Sequence, residues 1–246
     1  MFNLGHTRSD RQPTHLLQTP DTFIGMPLPG FDSVTIIVHA APAIGAAFTQ
    51  YTAEFEAGGS LGPAHGQRFL YVLEGGVTVA LGSQTHQLGP GGYGHVPANQ
   101  QHTVKASTKS RVAVIEKPAI SLPNDAPAAA YFGDENEVVS QPLGGDEALE
   151  VKQLLPTVPG LDYAVNTMHY QPGASLALVE IHVMEHGLLM LEGGGIYRLG
   201  NFWYPVQTGD FIWMAPYCPQ WFGALGKTPA KYLIYKNWNR HPLPGR

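Results

Sequence analysis

The sequence holds a single cysteine, Cys218, and that scarcity removes two kinds of architecture. An internal disulfide needs a second sulfur and a thiolate-built zinc site needs several, so neither a disulfide scaffold nor a cysteine-rich metal module is open to it. The lone thiol is expected to sit buried as a small apolar group. Charge is scarce as well: Asp, Glu, Lys and Arg make up 13% of the 246 residues, with a formal net charge of −5. No basic surface attracts phosphate backbones, which leaves nucleic-acid binding without electrostatic support. No run approaches the ~20 apolar residues that a spanning helix needs. The opening MFNLGHTRSDRQPTHLL also lacks the continuous apolar stretch of a secretory signal. The expectation is a cytoplasmic protein with neither nucleic-acid nor membrane partners.

What is abundant points to strands. Apolar residues reach 43%, and the chain carries 29 Gly and 21 Pro. This composition suits many short strands joined by tight turns and argues against a helical bundle or a disordered chain. Two stretches repeat each other. FLYVLEGGVTVALGSQTHQLGPGGYGHVPANQQH runs from Phe69 to His102, and GLLMLEGGGIYRLGNFWYPVQTGDFIWMAPYCPQ from Gly187 to Gln220. Glu74 and Gly75 fall opposite Glu192 and Gly193, Gly82 opposite Gly200, Gly91 opposite Gly209, and His102 opposite Gln220, all at one offset. Two long copies without a shorter period mean a duplicated domain and not a solenoid.

Within each copy, VTVAL and IYRL alternate between LEGG and LG turns, while GGYGHVP and GDFIWMAP read as strands ending in turns. Phe211, Ile212 and Trp213 suit a strand packed on both faces. The stretch between the copies is rich in Pro, Gly and acidic residues and reads as a linker. The division expected is an N-terminal domain over 1–125, a linker over 126–150 and a C-terminal domain over 151–246. DEALEVKQLL alone hints at a short helix.

A strand, an EGG-type turn, a further strand, and then G-D-x-x-x-x-x-P followed by a polar residue resembles the two-motif pattern of the cupin superfamily. The resemblance covers nearly the whole chain, once per half. It implies an all-β fold of two tandem cupin barrels (double-stranded β-helices, or jelly rolls), a bicupin. In ordinary cupins the first motif supplies two His and one Glu, and the second another His. Counted from the LEG turn, those positions fall on Gly62, Ala64, Arg68 and His102 in the N-terminal half. Gly and Ala donate nothing to a metal and Arg is a cation, so that barrel is expected to hold no metal. His65 would face the opposite side of an extended segment, and His102 reads as a satisfied interior polar group.

In the C-terminal half the same positions fall on Glu180, His182, His186 and Gln220. Glu180 and His182 are two apart and would share one face of a strand, with His186 opening the next. One carboxylate, two imidazoles and an amide oxygen, with no sulfur, favour Mn²⁺, Fe²⁺ or Ni²⁺ over a structural zinc site. Four protein donors leave octahedral positions open, which is the layout of a catalytic centre. In KYLIYK, Tyr232, Ile234 and Lys236 alternate onto one face; if that face is interior, Lys236 enters the barrel as a cation in want of an anionic partner.

The segments Glu180–Gly200, Trp203–Trp221 and Lys231–Pro242 are narrower in type, and they resemble the (S)-ureidoglycine aminohydrolase family. The exchange of the usual His, Glu and last His for Glu, His and Gln is that family's departure from other cupins. The resemblance implies an enzyme that hydrolyses (S)-ureidoglycine to (S)-ureidoglycolate and ammonia in purine and allantoin degradation, with Mn²⁺ in the C-terminal barrel. Glu180, His182, His186 and Gln220 would hold the metal, with Zn²⁺ a further candidate beside Fe²⁺ and Ni²⁺. Tyr197, Tyr232 and Lys236 would line the substrate pocket. Lys236 and Glu180 would be the catalytic groups, Lys236 binding a carboxylate or carrying a proton. The expected partner is a small ureide, and the chain is expected to form a homo-oligomer. The alternatives are an Fe(II)-dependent cupin dioxygenase and a non-catalytic small-molecule-binding cupin.

Overall fold

The computed structural model describes residues 6–64, 66–121, 126, 128–238 and 240, so the orientation expected for His65 lies outside the described residues. The chain opens with a hairpin of β1 (Asp10–Gln12) and β2 (His15–Gln18). There follow β3 (Gly25–Met26), β4 (Asp32–Ala40), β5 (Thr49–Leu61) and β6 (Gln67–Glu74). Next come β7 (Val77–Leu81), β8 (Gln84–Leu88), β9 (Gly92–Val96), β10 (His102–Ala106), β11 (Ser110–Lys117) and β12 (Tyr131–Asp134). The second half carries β13 (Gln141–Leu143), β14 (Asp146–Gln153), β15 (Tyr163–Tyr170) and β16 (His186–Glu192). It closes with β17 (Gly194–Leu199), β18 (Phe202–Gln207), β19 (Phe211–Met214), β20 (Gln220–Ala224) and β21 (Ala230–Asn237). The helices among the described residues are single 3-10 turns, so the fold is all-β.

The chain divides into two compact units. The first comprises Ile24–Val138 and Thr157–Asp162; its sheet runs β12-β9-β6-β11-β5-β10-β7-β8, with β4 on β5. Its core is the inward row of each strand, among them Val77, Val79, Val104, Val112 and Val114. In the first copy of the LEGG turn, Gly75 has φ +72, and a Cβ there would collide with the Lys109 carbonyl oxygen. In the second copy, Gly193 has φ +63 and would meet the Pro229 carbonyl oxygen in the same way. The repeated glycines are therefore required by close backbone approach and by a left-handed turn.

His39 belongs to this first core: it is 4% exposed, with Nε2 2.9 Å from the Thr52 hydroxyl. Burial, and then the nearby Arg111 charge, push its pKa down from 6.5 to about 3. Below pH 6.5 the unfolded chain takes up a proton there that the folded chain refuses. The stability from this site is thus complete above pH 6.5 and is lost as pH falls toward 3. The expected slope is up to ~1.4 kcal/mol per pH unit from this one histidine. Urea unfolding from pH 7 to 4 should show it, and His39→Gln should flatten it.

The second unit comprises Met1–Phe23, Val139–Pro156 and Tyr163–Arg246. Its larger sheet runs β1-β2-β19-β16-β21-β15-β14-β13, and β18-β17-β20 forms the smaller one. Phe211, Ile212 and Trp213 are all buried, as a strand covered on both faces requires. Cys218 is buried at 3% exposure, and burial pushes its thiol above the ordinary range.

Four points differ from the sequence reading, the first being that Thr157–Asp162, expected in the C-terminal domain, belongs to the first unit. The hairpin β1–β2 joins this second unit and not residues 24–125, because β2 pairs with β19 from His15 opposite Met214 to Gln18 opposite Phe211. Arg8 fastens the start of the hairpin, with Nη1 2.5 Å and Nη2 2.8 Å from the buried Asp210 carboxylate. The 126–150 stretch is not a free linker either. β12 extends the first sheet along β9, and β13 and β14 extend the second. DEALEVKQLL forms a strand and not a helix, since Leu149 to Gln153 pair with Tyr170 to Asn166 on β15. Tertiary pairing overrides the weak helical preference of its Glu, Ala and Leu residues.

Candidate metal centre

Cross-strand register assembles the site. His186 is the first residue of β16 and lies directly opposite Lys236 on β21, which in turn lies opposite Ala164 on β15. Gln220 is the first residue of β20. Glu180 and His182 do not share the face of a strand as expected. They lie in an irregular segment tied to β20 by a single bridge, with Glu180 N–H donating to Gln220 O at 2.8 Å and Gln220 N–H returning to Glu180 O at 3.0 Å. Tyr217 N–H, 2.7 Å from His182 O, holds the same segment two residues further on. Backbone bonds thus do for this pair what strand alternation was expected to do.

All four side chains come together. His182 Nε2 lies 3.3 Å from His186 Nε2, 2.8 Å from Gln220 Nε2 and 3.8 Å from Glu180 Oε2. His186 Nδ1 is 3.1 Å from the Tyr235 carbonyl oxygen, which can only accept, so Nδ1 carries the proton and Nε2 the lone pair. Burial, then His182 and Lys236, push the His186 pKa down from 6.5 to about 3, against the Tyr235 carbonyl, and the ring is neutral. His182 Nε2 accepts from the Gln220 amide, so it too presents a lone pair.

Two neutral imidazole nitrogens with converging lone pairs repel each other, and a cation shared between them removes that repulsion. The donor set therefore fits a divalent metal. Glu180 stands back: its side chain is 39% exposed, and among the described residues the His and carboxylate groups alone do not form a tight three-donor cluster. The carboxylate has to swing inward, and the Gln220 amide, whose nitrogen faces His182 and whose oxygen accepts from Tyr197, has to turn that oxygen toward the histidines to supply the fourth donor.

Beside these groups lies a cavity of about 250 Å³, a size for a small polar molecule and below the usual range for drug-sized ligands. Tyr197 and Tyr232, each 1% exposed, form part of its wall. Tyr197 donates to Gln220 Oε1 at 3.3 Å, and the Tyr232 hydroxyl is 2.7 Å from that of Tyr170. Burial raises all three phenols well above 10, so they stay protonated and act as hydrogen-bond donors.

Lys236 reaches the same cavity, half-buried, with Nζ 5.5 Å from the centre of the Trp238 ring. Burial lowers its pKa and Glu180 opposes that shift. No carboxylate among the described residues lies within ion-pair distance of it. The sequence reading missed Asn166, Met168 and Trp238 in this wall, and Leu143 and Val151, which β13 and β14 contribute. A signal for the first two was present: in YAVNTMHY, Asn166, Met168 and Tyr170 alternate onto one face. Leu143 fell in the supposed linker and Val151 in the supposed helix DEALEVKQLL.

The first unit answers the same register differently. There Arg68 on β6 lies opposite Glu116 on β11, as His186 lies opposite Lys236. Arg68 is 0% exposed, and its guanidinium donates to Glu116 Oε1 at 2.8 Å, to His102 Nε2 at 3.0 Å and to the Gly62 carbonyl at 2.9 Å. Tyr51 adds a hydrogen bond to Glu116 at 2.7 Å. Three of the four first-unit positions aligned with the ligands thus meet around a fixed organic cation.

The chain matches the Cupin domain family over residues 51–116 and 166–235. Barrels of this family commonly hold a divalent metal. It is 39% identical over 97% of its length, and 78% of the relative's, to the probable (S)-ureidoglycine aminohydrolase of Oryza sativa subsp. japonica. It is 38% identical to the (S)-ureidoglycine aminohydrolase of Arabidopsis thaliana, covering 97% of this chain and 80% of that one. The crystal structure of the putative glyoxylate-induced protein of Pseudomonas aeruginosa superposes with a TM-score of 0.89 at 28% identity, covering 98% of this chain and 94% of that one. Fold and repeat define a bicupin whose second barrel carries a metal-type donor set. Within that class the chain belongs to the (S)-ureidoglycine aminohydrolase family.

Proposed function

We propose that this protein hydrolyses (S)-ureidoglycine to (S)-ureidoglycolate and ammonia, with a divalent ion, Mn²⁺, held by Glu180, His182, His186 and Gln220. The observation that carries this reading is the pairing of two features on one small cavity: two imidazole nitrogens 3.3 Å apart and, beside them, a cation without an ion-pair partner among the described residues. A metal bound there supplies Lewis-acid polarisation at the reacting carbon. The remaining work belongs to side chains. Lys236 binds the substrate carboxylate through its ammonium, which the cavity leaves free for an anion. Tyr232, held protonated, donates to the ureido oxygen while accepting from Tyr170, and Tyr197, whose O–H is released when Gln220 turns its oxygen to the metal, donates a second bond, so that the two rings fix which face of the carbon is open.

In the reaction the bond from the α-carbon to the amine breaks, and the amine leaves with one added proton as ammonia. A water oxygen bonds to the same carbon and gives up one proton. Glu180, the carboxylate of the set and the one most open to solvent, takes the water proton. Among the described residues lining the cavity, Lys236 is the one Lys or Arg that can give the leaving amine its proton.

The test is ammonia release from freshly prepared (S)-ureidoglycine by metal-stripped protein, before and after Mn²⁺ is added. Turnover that returns only with Mn²⁺, well above spontaneous decay, supports both substrate and metal. Ammonia at the background rate with every divalent ion would reject the substrate. The reading extends to a cytoplasmic homo-oligomer; large exposed apolar side chains such as Phe202, Trp203 and Tyr217 support self-association, and light scattering measures it.

A further inference from the structure

We infer that Asn166 is a positioning residue for this reaction, holding the Lys236 ammonium in place to receive the substrate carboxylate; the inference rests on the function proposed above. On β15, Ala164 lies directly opposite Lys236 and Asn166 lies opposite Ile234, so Asn166 is the diagonal neighbour of Lys236 on the cavity face. Ala164 ends at Cβ and leaves the long lysine side chain room to lean toward Asn166. The Asn166 side chain is 6% exposed, and its orientation is decided by its neighbours. The Val165 carbonyl can only accept, so the amide nitrogen faces it at 3.0 Å and the amide oxygen faces Lys236 Nζ at 3.2 Å.

The neutrality of this partner matters. A carboxylate at the same place would neutralise the ammonium and occupy the position the substrate carboxylate takes. An amide oxygen fixes the ammonium and leaves its charge unspent. The first unit uses the same diagonal: Tyr51, opposite Val114, donates to Glu116, the residue in register with Lys236. There the charged residue is also ion-paired, to Arg68, whereas Lys236 has no such partner among the described residues.

The deciding variant is Asn166→Asp, which keeps the volume and adds an internal competitor for Lys236. It is expected to raise KM for (S)-ureidoglycine by at least ~10-fold, with a smaller change in kcat and unchanged bound Mn²⁺. Hydantoate, which has the same carboxylate and ureido groups but no leaving amine, provides a readout separate from turnover. Its affinity for the Mn²⁺-loaded protein, measured by calorimetry, should fall by a similar factor. Asn166→Leu, which removes the acceptor without adding charge, should show a smaller loss in both. If it does not fold, Asn166→Asp decides alone.

KM and hydantoate affinity both within two-fold of wild type in a folded Asn166→Asp protein would overturn the inference while leaving the proposed reaction standing. Lost turnover with hydantoate affinity intact would overturn it too, since the ammonium would then not depend on Asn166. A wild-type protein that neither releases ammonia nor binds hydantoate would overturn both readings together.

Discussion

His186→Ala is expected to abolish metal retention and to lower kcat/KM for (S)-ureidoglycine by at least ~10³-fold, the scale on which preorganised charge stabilisation acts. The expectation rests on where the residue sits. His186 lies in register between two neighbouring strands, opposite Met214 on β19 and Lys236 on β21, and its Nδ1 is fixed by the Tyr235 carbonyl. Glu180 is tied to Gln220 by one two-bond bridge and His182 to Tyr217 by one backbone bond, so their irregular segment can adjust. His186 is thus the most rigid donor, and the one whose loss the others compensate least. Metal content by elemental analysis and ammonia release checks the prediction, with circular dichroism to confirm the fold. Turnover that survived in a metal-free His186→Ala protein would reject any role for a metal in the reaction.

The second large effect concerns stability. Arg68→Ala is expected to cost ~3–5 kcal/mol, as when one member of a buried ion pair is removed. The reason is what remains: Glu116, with a side chain only 13% exposed, keeps the Tyr51 hydrogen bond but loses its cation, and the Gly62 carbonyl and His102 Nε2 lose a donor. Replacing both charges at once, as Arg68→Met with Glu116→Gln, should recover most of the loss, because no unpaired charge is then left inside. Urea unfolding followed by circular dichroism measures both proteins. A loss below ~1 kcal/mol for Arg68→Ala would show that water reaches Glu116 and that the network adds little, as for exposed pairs.

Much of this was legible along the chain. Gly75 and Gly193 marked the duplicated turn because a left-handed residue that touches backbone has no substitute in kind. Lys236 was readable from alternation and His186 from its distance to the LEG turn, and each sits in a regular strand. Glu180 and His182 were found by their distance from the LEG turn but placed on the wrong kind of backbone. Nothing local distinguishes a short strand from a segment held by one bridge to Gln220. The supposed helix at DEALEVKQLL failed for the related reason that the strand pairing that decides its backbone comes from β15, outside the segment itself.

The residue pattern alone decided the duplicated all-β architecture, the donor types in the second half and their lack in the first. These depend on side-chain chemistry and on spacing within single strands and turns. Only the tertiary structure decided that residues 8–18 complete the second sheet, that β13 and β14 wall the cavity, and that Asn166 faces Lys236. Each of these depends on register between strands distant in sequence. Register is set by the packing of both partners together, so no one segment carries it.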